Sequence, residues 1–116
     1  MNIPDGYRFL LIDNSLVKLF RSFDGGFAIG ESWMLNSGCT KIIPVDDYWQ
    51  VYGYSGSMYT IRKEQGRLNS YTSGVFQSII KKLKDGGVPV QEVNLATTIE
   101  ILNNKTGDNI GLKGCS

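Results

Sequence analysis

Residues 48–84 read YWQVYGYSGSMYTIRKEQGRLNSYTSGVFQSIIKKLK, and a change of periodicity inside this run decides the fold class. Its first part is strand-like. Residues 48–54 are rich in aromatic and β-branched side chains, residues 58–61 repeat that character, and Ser55-Gly56-Ser57 between them suits a hairpin turn. After the turn at Glu64-Gln65-Gly66 the spacing becomes helical. Val75, Phe76, Ile79, Ile80 and Leu83 recur every three or four positions, which predicts a helix over 72–84 with one apolar stripe. Hydroxyl residues within 70–73 are expected to cap its start, Lys81, Lys82 and Lys84 suit the negative end of the helix dipole, and Gly86-Gly87 stops it.

Working outward, residues 7–12 form an apolar strand run ended by Asp13-Asn14, and 16–20 form a second one. Asp24-Gly25-Gly26 reads as a turn into a strand over 27–34, where Phe27, Ile29 and Trp33 share a face. Residues 41–45 read as a brief strand in which Pro44 suits a sheet edge or a strand end. Residues 97–112 admit either a hairpin or part of a helix that starts at Pro89 or after Asn94 and stops at Gly107. The β-branched cluster Thr97, Thr98, Ile99 and Ile101 favours the hairpin. The expectation is therefore a single α+β domain over 1–116: an antiparallel twisted sheet of five or six strands with one main amphipathic helix on one face.

Composition excludes several chemistries. The chain has 116 residues, 12 basic and 11 acidic, for a formal charge of +1, and it contains no histidine. A nucleic-acid binder of this size usually carries a basic excess, because phosphate neutralisation supplies much of its affinity. Without imidazole, the usual serine or cysteine triads, HExxH zinc sites and the common neutral-pH general base are absent. Two distant cysteines, Cys39 and Cys115, supply neither a zinc cage nor a disulfide scaffold, so reduced thiols and a cytoplasmic setting are expected. Neither a secretory leader nor a membrane-length apolar run is expected from the residues given.

Two fragments mimic catalytic motifs. Gly53-Tyr54-Ser55-Gly56-Ser57 lacks the final glycine of a nucleophile elbow and lies between strands, so it reads as a turn. Asp46-Asp47 and the scattered Asp13, Asp24 and Glu31 are candidates for an acid–base pair or a hard-cation site, but adjacent aspartates on a strand face opposite ways and suit a solvated turn. No catalytic residue, metal or cofactor is expected.

The unusual feature is aromatic density: Tyr48, Trp49, Tyr52, Tyr54 and Tyr59 fall within twelve residues. Alternation sends Trp49 and Val51 toward the helix stripe and leaves Tyr48, Tyr52 and Tyr54 on the other face. Tyr59, Arg62 and Arg67 follow nearby in sequence. Tyrosine pairs a large apolar body with a polar tip, which suits interfaces. These six residues form the candidate partner-binding set. The alternative is that the tyrosines pack beneath another strand or stabilise their own sheet.

From Gly53 to Lys84 the order is a glycine-rich turn, Met58-Tyr59-Thr60-Ile61, Gly66-Arg67-Leu68, Asn69-Ser70 and then the amphipathic helix. This stretch resembles the middle of the SUKH immunity superfamily. The resemblance implies an immunity protein that blocks a toxin by direct binding, without catalytic residues. The functional expectation is a non-catalytic protein-binding inhibitor, either a toxin-immunity protein or a phage-encoded inhibitor of a host defence enzyme. The alternatives are a small carboxylate/tyrosine enzyme or ligand-binding domain, and a nucleic-acid-associated regulator. A protein is the expected partner, rather than nucleic acid or membrane, and homo-oligomerisation is left open.

Overall fold

The computed structural model describes the backbone of residues 3–26 and 30–115 and the side chains of 3–24 and 32–105. The chain is α+β, with seven strands in two antiparallel sheets and two helices among the described residues. Strands β1 (Gly6–Ile12), β2 (Leu16–Gly26), β3 (Gly30–Leu35) and β7 (Val90–Val93) form one sheet in the order β3-β2-β1-β7. Strands β4 (Cys39–Val45), β5 (Tyr48–Gly53) and β6 (Met58–Arg62) form the other in sequence order. Helix α1 spans Ser70–Asp85 and α2 spans Leu95–Cys115.

Strand alternation divides the four-stranded sheet between two cores. Leu10 and Phe20 face α1, where they meet Phe76 and Val90 together with the half-buried Val75, Ile79, Ile80 and Leu83. That stripe is the one the spacing predicts. Tyr7, Phe9, Leu11, Val17 and Leu19 point the other way, toward Cys39, Val51 and Ile61 of the three-stranded sheet. Trp49 and Val51 thus face the four-stranded sheet and α2, and the stripe of α1 lies on that sheet's far side.

Helix α1 begins with Asn69, not with a hydroxyl of 70–73: its side chain accepts the Thr72 N–H at 2.8 Å. The Asn69 amide also donates to Asp24 Oδ1 at 2.9 Å, joining the cap to the end of β2. Within the helix, only Thr72 and Phe76 are fully buried. Thr72 shares a buried hydroxyl–hydroxyl bond of 2.7 Å with Ser22.

Residues 97–112 are helical, not a hairpin. Asn94 accepts the Thr97 N–H at 2.7 Å, and the Thr98 hydroxyl donates back to Asn94 O at 2.8 Å. Leu95, Thr98 and Leu102 then recur at helical spacing, with Thr98 and Leu102 buried and Leu95 and Ile101 packed on the inter-sheet core. Packing of this stripe overrides the strand preference of the β-branched cluster. Gly107 does not stop the helix, which continues to Cys115.

The single expected sheet is two because the chain changes layer after β3. Asn36 receives the Leu19 N–H on its side chain at 2.8 Å, and Gly38 follows at φ 151° with the Tyr54 ring lying against it. A β-carbon at Gly38 would meet that ring at 2.5 Å, so only glycine fits this crossing. The expected turn at Asp24-Gly25-Gly26 instead lies in the last turn-free stretch of β2, where the register to β3 shifts between Phe23 and Gly26. Phe27 and Ile29 fall outside the described residues. Pro44 does sit on an edge strand, and β7, too short to announce itself, completes the first sheet against β1.

Candidate functional site

The outer face of the three-stranded sheet is built by register. Val45, Ile43 and Lys41 on β4 stand opposite Tyr48, Gln50 and Tyr52 on β5, which stand opposite Arg62, Thr60 and Met58 on β6. Helix α1 packs on the other sheet, and α2 enters the inter-sheet core through Leu95, Ile101 and Leu102. No helix layer among the described residues covers this face. Val45, Tyr48 and Met58 are accordingly exposed, Met58 by 42%.

The tyrosines are held differently. Tyr52 is half-buried: its hydroxyl donates to Gln50 Oε1 at 3.1 Å, and Lys41 Nζ lies 4.7 Å from its ring centroid. Tyr48 lines an open cavity of about 360 Å³ with Asp47, Arg62, Lys63 and Glu64. Tyr54 lies beyond β5, in the turn, 59% exposed, with one side of its ring on Gly38. Asp46 and Asp47 form the exposed β4–β5 turn, with Asp46 at φ 55°.

The structure does not gather all six candidate residues. Tyr48, Tyr52 and Arg62 share the outer face, and Tyr54 flanks it in the turn. Tyr59 points inward with Val51 and Ile61 against the core. Arg62 reaches Pro4 O with Nη1 at 2.7 Å, which ties the N-terminal segment to β6. Arg67 lines a separate cavity of about 380 Å³ beside α1, with Arg8, Ser73, Gln77 and Glu92. Met58, Val45 and Ile43 were not singled out from sequence. Their signal was alternation within β4 and β6, and it becomes readable only once the pairing register is known.

Several polar groups lie deep in the molecule. Burial pushes the Cys39 thiol up to about 11, against a lesser opposing pull from the Asn36 amide, which donates to its sulfur at 3.5 Å. A thiol held in this form is a packing group, not a nucleophile. Burial likewise raises Tyr7 to about 12, while the Arg8 charge opposes the rise, and the Tyr7 hydroxyl donates to Arg62 O at 2.6 Å. Arg21 is pushed down by burial, with Tyr59 acting in the opposite sense. No cluster of three or more metal-ligating side chains occurs among the described residues, and no helix among them is long and apolar enough to cross a membrane.

The outer face offers flat aromatic and thioether surface, cations at Lys41 and Arg62, and aspartates confined to the turn at one end. Comparison with known proteins finds no matching family model, curated protein or solved structure.

Proposed function

We propose that this protein is a non-catalytic binding protein that inhibits a partner protein by covering its functional surface with the outer face of the three-stranded sheet. One observation carries the reading. Ile43, Val45, Tyr48, Tyr52 and Met58 share a strand-built face with no helix layer over it among the described residues. Contiguous exposed apolar surface on a small domain marks interaction sites, and tyrosine and methionine are enriched in them. Lys41 and Arg62 on that face suit an acidic partner surface and its rapid encounter.

The resemblance of residues 53–84 to the SUKH superfamily supports an immunity-type inhibitor, and a phage-encoded inhibitor would use the face in the same way. Cytoplasmic residence belongs to the proposal, with Cys39 kept as a buried free thiol.

The test compares wild type with a Tyr48→Ala/Tyr52→Ala variant in capture of protein partners from the native host. Wild type is expected to retain one stoichiometric protein. The double variant, with an unchanged unfolding midpoint, should bind it about 100-fold more weakly, since central aromatic anchors typically contribute 2 kcal/mol or more. Equal binding by a folded double variant rejects the face.

A further inference from the structure

Arg21 is the one buried side-chain nitrogen or oxygen site among the described residues where an atom has no hydrogen-bond partner. It lies on β2, between Tyr7 of β1 and Met34 of β3 in the strand register, and it is only 7% exposed. Its guanidinium carbon sits 4.1 Å from the Tyr59 ring centroid and 5.6 Å from that of Phe23. Nη2 donates to the Met34 thioether at 3.5 Å, a weak acceptor, and Nε donates to nothing. Among the described residues, no carboxylate pairs with it.

A buried guanidinium without a carboxylate is costly, and two ring faces offset only part of that cost. The unpartnered Nε and the weakly bonded Nη2 also lie side by side. Nε and Nη2 form one edge of the planar fork, the edge that takes two oxygens of a carboxylate or phosphate side by side. The door over that edge is Met34. It is 54% exposed on a strand at the sheet's margin, with an unbranched side chain that rotates readily.

We propose that the Nε–Nη2 edge of Arg21 is an oxyanion-binding site, entered from β3 by displacement of the Met34 thioether and filled by a carboxylate or phosphate group. The site lies on the inner side of Tyr59, so it is independent of the outer tyrosine face. Its ligand would cap the one incomplete buried polar group among the described residues and so stabilise the fold.

The test is the melting temperature of wild type, Arg21→Met, Arg21→Lys and Met34→Ala at constant ionic strength. The probes are inorganic phosphate and a blocked tetraglutamate peptide. At about 10 mM, phosphate lies below the range of general salting-out stabilisation. Wild type is expected to rise by about 3 °C or more with at least one probe, and Met34→Ala should keep the response. Arg21→Met should melt no lower than wild type without probe, because an apolar chain replaces an unpaired charge, and should lose the response. Arg21→Lys retains a cation but not the fork, and should also lose it. A response to the peptide alone assigns an acidic side chain of a partner, and a response to phosphate alone assigns a free oxyanion. The site is rejected if wild type responds to neither probe, or if the Arg21 variants respond as wild type does.

Discussion

Phe76→Ala is expected to cost about 3–5 kcal/mol of unfolding free energy, a large share of the 5–15 kcal/mol typical of a domain. Phe76 is 1% exposed, and its ring centroid lies 5.1 Å from that of Phe20 on the four-stranded sheet. Of the residues of α1 only Thr72 shares its full burial, so Phe76 is the one large side chain of the helix wholly withdrawn from water. Truncation leaves a cavity bounded by Leu10, Phe20 and Val90, all on strands and unable to collapse inward by much. Urea unfolding followed by far-ultraviolet circular dichroism measures the loss. A change below about 1 kcal/mol would mean that α1 is held by something other than this stripe.

The second large effect is alkaline. Cys39 rises from an ordinary 9.0 to about 11 and Tyr7 from 10.0 to about 12, both through burial. Each folded value lies above the unfolded one, so the native state keeps a proton that the unfolded chain has released. The resulting stability is complete below pH 9, falls between pH 9 and 12, and is gone above the folded values. Two shifts of this size correspond to about 2–3 kcal/mol each. Tyr7 also loses its bond to Arg62 O on ionisation, which loosens β6 from the four-stranded sheet. Unfolding free energies measured across pH 8–12 should fall steeply over this window. A flat profile there would contradict the burial of both groups.

What the sequence revealed follows from the range of the interactions involved. Helix α1 was legible because Val75, Phe76, Ile79, Ile80 and Leu83 repeat at helical spacing with Gly86 beyond them, and all of this is local. The β5–β6 hairpin was legible for the same reason. Helix α2 was not, because Thr97, Thr98, Ile99 and Ile101 favour strands locally. The deciding burial of Thr98 and Leu102 comes from β-strands far away in the chain. The division into two sheets hinges on the Asn36–Leu19 bond and the Tyr54 ring on Gly38, both between distant residues.

The candidate site was legible to the same extent. Alternation on one strand placed Tyr48 and Tyr52 together, but it could not show that Tyr59 turns inward or that Arg67 belongs beside α1. Those placements depend on register and on the path after Gly66. Gly66 itself adopts φ 67° where it bridges to Gly6, and a side chain there would strike Asp5 O. Arg21 gave no signal at all, since a lone arginine in β2 reads as solvated until both sheets are seen to enclose it.

On the proposal above, the outer face of the three-stranded sheet is the working surface. Oxidative footprinting of the protein free and bound to its captured partner tests it most directly. Tyr48, Tyr54 and Met58 lie on or beside that face, whereas Tyr71, also exposed, lies on α1 in the opposite layer. Protection of the first three with Tyr71 labelled as in the free protein is the predicted result. Protection of Tyr71, with Tyr48, Tyr54 and Met58 still fully labelled, would contradict it.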